Sequence, residues 1–452
     1  MRSEESSNLK GFLRRLGVQT DLEKDAVEWE IPALQQLNLA INVLNSALGE
    51  STKRAVARSA LDNYAQLDDR DKADFFTHLL SDYGVDASEV KLAFEQWQQS
   101  EGAAELVALS RQVEPQRQGL LRSLNYAPDG TLDLVSMRAD LLRLIRDGHE
   151  QLKPLDYDFK HVLSSWFNPG FLDLSELTWD KAKAVKDHLL RYESVHPMKD
   201  GTALKRRVQP KDRKIYGFTH PATGDKPLIF VEVAFTNGLP SGIDEILEQH
   251  QSVNPSKADT AIFYSINSAF DGLAGISFGN FLIKRVTELI QATMPNICVF
   301  ATFSPIPKLR NWLLASRDSR HKELVNELEA VPDLRGVAKK AALANEMVTA
   351  TSHYITHAKN HRGLPADPVA RFHLGNGATA WKVVWPASER DYIWQASYGA
   401  MIIYRYEPEK IETQHEEFVQ EQKIAVGPQF FDQYSGATLS ASDVTQSEVH
   451  VD

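Results

Sequence analysis

Cysteine is almost missing: Cys298 is the single one in 452 residues. It excludes an internal disulfide. Its place inside the apolar run NICVFATF reads as a small buried hydrophobe. Long hydrophobic runs are missing too. No window offers the about 18 uncharged apolar residues that a membrane span requires. The first ten residues, MRSEESSNLK, have no apolar core and carry two early glutamates, so they read as neither signal nor transit peptide. The final SEVHVD is no peroxisomal tripeptide. An excess of positive charge is also absent. The formal net charge is −11, which argues against bulk nucleic-acid binding but leaves room for a local basic pocket. A cytoplasmic protein is the expectation.

The composition that remains is that of a chain able to build a large core, with 42% hydrophobic and 25% charged residues. At about 100–200 residues per domain, two or three units are expected. Residues 1–160 read as helices with no catalytic pattern, and a domain of that kind commonly mediates assembly. Asp86 with Glu89 three positions later is a capping-box pattern. After an Asp129-Gly130 turn, Leu134, Met137, Leu141, Leu144 and Ile145 recur at helical spacing. Residues 161–410 change texture. KIYGFTHP, KPLIFVEVAFT and TAIFYSINS read as strands. A glycine-bearing loop, an amphipathic helix (Leu282, Val286, Leu289, Ile290) and the strand NICVFATF follow, most simply as a parallel pair with a crossover helix. Residues 308–365 read as helical again. ATAWKVVWP and AMIIYRYEP return as strands. Residues 411–452 are polar and read as a loose tail. The class is α+β: a helical bundle first, then a mixed α/β domain.

Several patterns carry possible chemistry. The loop Gly272–Asn280 lies between a strand and a helix start, where free N–H groups and the helix dipole favour a phosphate. It also contains Gly275-x-Ser277-x-Gly279, the nucleophile-elbow spacing. The strand, however, ends near Ser268, too early for an elbow at Ser277. His353, His357 and His361 fall at i, i+4 and i+8, but no carboxylate or cysteine completes a metal set, so a solvated face is expected. Lys205, Arg206, Arg207, Lys211, Arg213 and Lys214 read as a solvated loop, or as a basic rim for a polyphosphate. Ser304 ends an apolar strand and is followed by Pro-Ile-Pro, which restricts its backbone. His373 stands in the turn-rich RFHLGNGA before another strand. The two could form a Ser-His pair.

The segments HPMKDGTALKRRVQP, YSINSAFDGLAGISFGNFLIKRV, FATFSPIPKLRNWL, HRGLPADPVARFHLGNGA and YGAMIIYRY together resemble the malonyl-CoA decarboxylase family, from about residue 85 to about residue 406. The resemblance implies a helical N-terminal domain and a catalytic domain of the GNAT acetyltransferase-like fold. It implies conversion of malonyl-CoA to acetyl-CoA and CO2 without metal or prosthetic group, and tetramers formed through the helical domains. By position, the family's catalytic serine falls on Ser304 and its histidine on His373. Its CoA-contacting loop falls on Ala274, Gly275, Ile276, Ser277, Phe278, Gly279 and Asn280, and its supporting residues on Ser265 and Tyr406. Animal members carry glutamate where Ser277 stands and have targeting signals not seen here, which points to a bacterial-type cytoplasmic form. The competing expectations are a GNAT-like acyltransferase using an amine acceptor and a non-catalytic CoA-binding regulator. A histidine titrating near neutrality is expected to protonate the enolate left by CO2 loss.

Overall fold

The structure is a computed structural model that describes residues 32–44, 49–248, 253–276, 282–330, 341–388 and 390–435. The chain divides into two units. One comprises Met1–Leu172, His220–Gly224 and Phe270–Ser277; the other comprises Asp173–Thr219, Asp225–Ala269 and Phe278–Asp452.

Helices build the first unit. Their starts follow from local chemistry. Asp68 accepts the Asp71 N–H at 2.8 Å, and Asp86 accepts from Ser88 and Glu89, as its spacing predicts. Asp129 takes a left-handed conformation just before the helix Gly130–Arg146. That helix buries Leu134, Met137, Leu141 and Leu144, while Ile145 is only half-buried. Phe75, Phe76, Tyr64 and Phe159 form a run of tilted and edge-on ring contacts 5.6–6.4 Å apart. Burying one such side chain stabilises by roughly 1.5–3 kcal/mol. The pair Ala87–Ser100 and Ala103–Gln112 is different: Ala93 is its one buried residue, and Leu92, Phe94, Leu106 and Val107 stay exposed.

The second unit holds an eight-stranded mixed sheet: β1 (Asp173–Glu176), β2 (Arg213–Thr219), β3 (Ile229–Thr236), β4 (Thr260–Ser268), β5 (Val299–Thr302), β6 (Ser304–Pro305), β7 (Thr379–Val384) and β8 (Met401–Tyr406). The order is β1-β2-β3-β4-β5-β8-β6, with β7 also on β8. β1 to β4 are antiparallel neighbours. β4 and β5 are parallel, joined through the helix Leu282–Thr293, as the alternation of patterns predicts. Their ladder ends at Phe263↔Thr302, and β6 turns away to pair with β8 instead. The sheet is therefore split beyond Phe263. The architecture is the α+β one expected, with helices first and the mixed sheet after.

Two expectations are corrected. Residues 411–435 are not a loose tail: the helices Ile411–Glu421 and Pro428–Ser435 bury Ile411, Phe418 and Phe430. Gln433 closes two 2.9 Å hydrogen bonds with the Val383 backbone. Three apolar anchors in a polar sequence suffice for docking. Residues 436–452 lie outside the described residues. Cys298 is exposed rather than buried, because β5 begins one residue later and Ile297 takes the inward position.

Candidate active site

Ser304 leaves the sheet's split edge directly after β5. Its Cα partner is Ile402 on β8, and Ile306 behind it is fully buried, so the Pro-Ile-Pro turn is fixed at both sides. Its hydroxyl meets Thr302 Oγ1 at 2.8 Å and His373 Nε2 at 3.0 Å. Thr302 in turn accepts the Tyr404 N–H at 3.3 Å.

His373 stands in the last turn of the helix Pro368–Gly375, not in a loose turn. Asp367 caps that helix, accepting the Val369 and Ala370 N–H groups at 2.9 Å each, and proline occupies its first position. On its other side, His373 Nδ1 lies 2.9 Å from the Tyr406 hydroxyl, and its ring stacks on Tyr404 at 4.7 Å. β8 thus supplies two tyrosines, two residues apart on one face, and the histidine is gripped between them.

Ser304 and His373 are each 4% exposed. Burial lowers His373 to about 3 and raises Tyr406 well above the usual phenol range. The expected histidine titrating near neutrality is therefore replaced by an imidazole that is neutral at pH 7. Burial also pushes the Asp367 carboxyl up to about 6, against the pull of the N–H groups it caps. Protons in this group can run in either sense. Ser304 can donate to Nε2 while Nδ1–H donates to Tyr406. Alternatively, Tyr406 donates to Nδ1, and Nε2–H donates to Ser304, which donates to Thr302. Such a chain can hold or hand over one proton without any member becoming charged at rest.

Ser265 belongs to a different cluster, beyond the β4 bulge at Tyr264. Its Oγ lies 2.9 and 2.8 Å from the two carboxyl oxygens of Glu193, and Asn267 Nδ2 donates to it at 2.7 Å. The Gly-rich loop belongs to the helical unit as far as Ser277. There Arg138, fully buried, donates to the carbonyls of Gly272 and Ala274 at 2.7 and 2.9 Å and pairs with Asp156 at 2.8 Å. Gly275 has φ +71° and Ile276 is buried. Ser277, Phe278, Gly279 and Asn280 lie outside the described residues. A short 3-10 turn, Asp271–Leu273, separates β4 from this stretch, so the elbow reading gains nothing up to Ile276.

Two other candidates dissolve. The helix Ala341–His357 ends before His361, so the three histidines share no helical face. His353 and His357 stack at 4.7 Å, and no group of three or more potential ligands is arranged for a metal among the described residues. The basic rim loses half its members to internal work. Arg207 pairs with the buried Glu232 at 2.8 Å, Arg213 with Asp212 at 2.9 Å, and Lys214 with Glu176 at 2.5 Å. Sequence reasoning also missed Thr302, Tyr404, Glu193 and Asn267. Thr302-x-Ser304 and Tyr404-x-Tyr406 are same-face pairs that strand alternation could have offered; nothing in RYESVHP marks Glu193.

Comparison with known proteins identifies the family. The family model for the malonyl-CoA decarboxylase C-terminal domain matches residues 170–443, and that for its N-terminal domain matches residues 83–167. The chain belongs to the malonyl-CoA decarboxylase family. A mitochondrial malonyl-CoA decarboxylase of Anser anser anser is 34% identical over 375 residues, covering 74% of each chain. That of Rattus norvegicus is 30% identical over 377 residues, covering 74% of this chain and 76% of the relative. The crystal structure of malonyl-CoA decarboxylase from Rhodopseudomonas palustris superposes with TM-score 0.82 at 37% identity, over 88% of this chain and 98% of that one. The one from Agrobacterium vitis does so with TM-score 0.83 at 33% identity, over 88% and 99%. Among the described residues no helix is long and apolar enough to cross a membrane.

Proposed function

We propose that the chain decarboxylates malonyl-CoA to acetyl-CoA and CO2 at the Ser304–His373 pair. The 3.0 Å contact between Ser304 Oγ and His373 Nε2, in a nearly closed site, carries the assignment. Cleavage of the bond to the carboxylate leaves its electron pair on Cα, delocalised into the thioester carbonyl as an enolate. The substrate thus brings its own electron sink, and the protein must supply hydrogen-bond donors for the oxygen and one proton for Cα. In a water-poor site such donors are strong because little screens them. His373 is read as the proton donor and Ser304 as the group that orients substrate and relays the proton: the Nε2 proton passes through Ser304 to Cα as Tyr406 gives its hydroxyl proton to Nδ1, so the imidazole stays neutral and Tyr406 is left to be reprotonated. Water then restores the proton consumed.

Residues 274–280 are read as the CoA contact, with Ser265 as a further substrate contact. Binding of the long CoA handle helps fix the small malonyl group. The reaction as read runs on side chains alone, so full activity after exhaustive EDTA treatment is expected. The exposed apolar pair Ala87–Ser100 and Ala103–Gln112 favours self-association through the helical unit, read here as a tetramer. A cytoplasmic location rests on the likeness to the two bacterial structures, and cell fractionation tests it.

The deciding experiment is incubation of pure protein with malonyl-CoA and no acceptor. Stoichiometric CO2 and acetyl-CoA are expected. Transfer of an intact malonyl group to an added amine, without CO2, would replace this reading with acyl transfer. Binding of CoA with neither reaction would leave a regulator.

A further inference from the structure

Where Gly275 has no side chain, a lysine of the helical unit reaches in: a Cβ placed there would meet Lys160 Nζ at 3.6 Å. Both residues belong to the first unit. Lys160 is exposed and lies on the helix Lys153–Trp166. One turn earlier on the same face of that helix, Asp156 pairs with Arg138 at 2.8 Å. Arg138, 1% exposed, donates in turn to the Gly272 and Ala274 carbonyls at 2.7 and 2.9 Å. Helix and loop are thus pinned together next to Lys160. Asp156 is committed to Arg138, and the Lys160 ammonium has no hydrogen bond or ion pair among the described residues.

The loop at this point is a type II turn. Ala274 has φ −54° and ψ 133°, Gly275 has φ +71°, and the Ile276 N–H closes on the Leu273 carbonyl at 3.1 Å. The third residue of such a turn takes positive φ, which suits glycine. The peptide joining Ala274 to Gly275 is planar and trans, so its C=O and N–H point in opposite directions. The C=O is turned inward, onto buried Arg138. The Gly275 N–H is therefore turned outward, and it has no partner among the described residues. An ammonium and a free N–H, close together on an exposed turn, make a place for an anion.

We propose that Lys160 and the Gly275 N–H hold a phosphate of the CoA nucleotide, so that the helical unit binds substrate as well as assembling the chain. The inference rests on the reading of residues 274–280 as the CoA contact. A phosphate presents several oxygens at once, so one group takes both donors. The substrate's other anion, the malonyl carboxylate, has to lie at the Ser304–His373 pair where it is lost, whereas the phosphates lie at the far end of the handle. The chain carries a net charge of −11, which repels a polyanion, so an uncommitted cation at the loop matters more than its exposure suggests. The contact supplies binding and no chemistry. Lys160 touches no reacting atom.

The test compares three thioesters on the full chain at low ionic strength: malonyl-CoA, malonyl-dephospho-CoA, which lacks the 3′-phosphate, and malonyl-pantetheine, which lacks every phosphate. Lys160→Ala should lower kcat/KM for malonyl-CoA about 5- to 10-fold, the scale of an exposed charge-assisted hydrogen bond, and leave malonyl-pantetheine turnover as in wild type. Added salt should shrink the difference, and Lys160→Arg should recover most of it. Lys153→Ala removes the same charge from an exposed position of the same helix, where Lys153 pairs with Glu150 at 3.3 Å, and should behave as wild type. A loss that persists with malonyl-dephospho-CoA assigns the pyrophosphate, and one that disappears assigns the 3′-phosphate; both uphold the contact. An unchanged kcat/KM for malonyl-CoA, an equal loss with malonyl-pantetheine, or an equal loss in Lys153→Ala would overturn the proposal. Titration calorimetry of CoA against wild type and Lys160→Ala repeats the comparison without turnover, so a wild type that releases no CO2 would refute the decarboxylase reading alone. A wild type that binds CoA no more tightly than pantetheine would remove the CoA reading of the loop, and this contact with it.

Discussion

Removing Ser304 and His373 singly and together measures whether they act as one device. Each presents a single strong contact to the other, 3.0 Å long and almost shielded from water. Ser304→Ala leaves Nε2 without its serine partner. His373→Ala leaves the serine hydroxyl with Thr302 alone and strips Tyr406 of its imidazole. A positioned proton-transfer group contributes about 10²–10⁴ in rate, or about 3–5 kcal/mol at 1.36 kcal/mol per tenfold. Each single variant should lose that much kcat with far less change in KM. Independent residues would multiply to about 10⁴–10⁸. A single relay predicts a double variant near the worse single one. Initial-rate CO2 release from saturating malonyl-CoA reads this directly. Folding must be checked beside it, because a buried group left unpaired costs about 1–3 kcal/mol of stability. Matching melting temperatures and CoA affinity would confine the losses to chemistry. Full multiplication in folded variants, or near wild-type release by His373→Ala, refutes the relay.

Three further outcomes are expected. His373 is lowered to about 3 in the folded chain against an ordinary 6.5, so only the unfolded chain takes up its proton as pH falls through 6.5. Stability from this group should therefore drop by roughly 2 kcal/mol between pH 7 and pH 5; urea midpoints of His373→Gln should show a smaller acid loss than wild type, and an equal loss would count against the buried neutral imidazole. A Cβ on Gly272 would meet the Val135 carbonyl oxygen at 1.8 Å, so Gly272→Ala should cost about 1–3 kcal/mol and loosen the loop that Arg138 holds, seen as faster amide exchange near Ala274. Leu106→Glu with Val107→Glu, at residues 50% and 53% exposed, should shrink the assembly in light scattering without lowering the melting temperature, whereas an unchanged size would move the interface elsewhere.

The legible parts of the chain were those whose signal is local. Alternating and continuous apolar runs placed β2 to β5, β7 and β8, and the helix between β4 and β5 made their parallel pairing the simplest choice. Ser304 was legible because two prolines isolate it. The helix carrying His373 was also written in plain terms, as Asp367 before Pro368, but the glycines after it drew the reading toward a turn. What stayed hidden depends on contacts far apart in sequence. Arg207 looks like a surface cation until Glu232, buried in the middle of an apolar strand, requires a partner. Glu193 looks like any surface carboxylate until β4 brings Ser265 and Asn267 to it. The protonation state of His373 was misjudged for the same reason: its type predicts a titration near neutrality, and only its enclosure by Tyr404 and Tyr406 removes it.

That enclosure bears on how a decarboxylase should be built. The substrate enters as a carboxylate and passes through an enolate, so negative charge moves from one end of the malonyl group to the other. A cationic histidine beside the substrate would hold the departing carboxylate as firmly as it held the enolate, and equal stabilisation of both gives no acceleration. A neutral imidazole and a hydroxyl act differently. They are weak partners for a carboxylate that loses its water, and directed donors for an oxygen placed where charge arrives. Burial that costs the imidazole its charge also excludes the water that would screen those donors. Thr302 and Tyr406 close the hydrogen bonds of the pair and Tyr404 N–H that of Thr302, although the buried Tyr404 hydroxyl has no partner among the described residues. On this reading the depressed histidine is a requirement of the reaction rather than a by-product of the fold, and it explains why two tyrosines of β8 are committed to holding one imidazole.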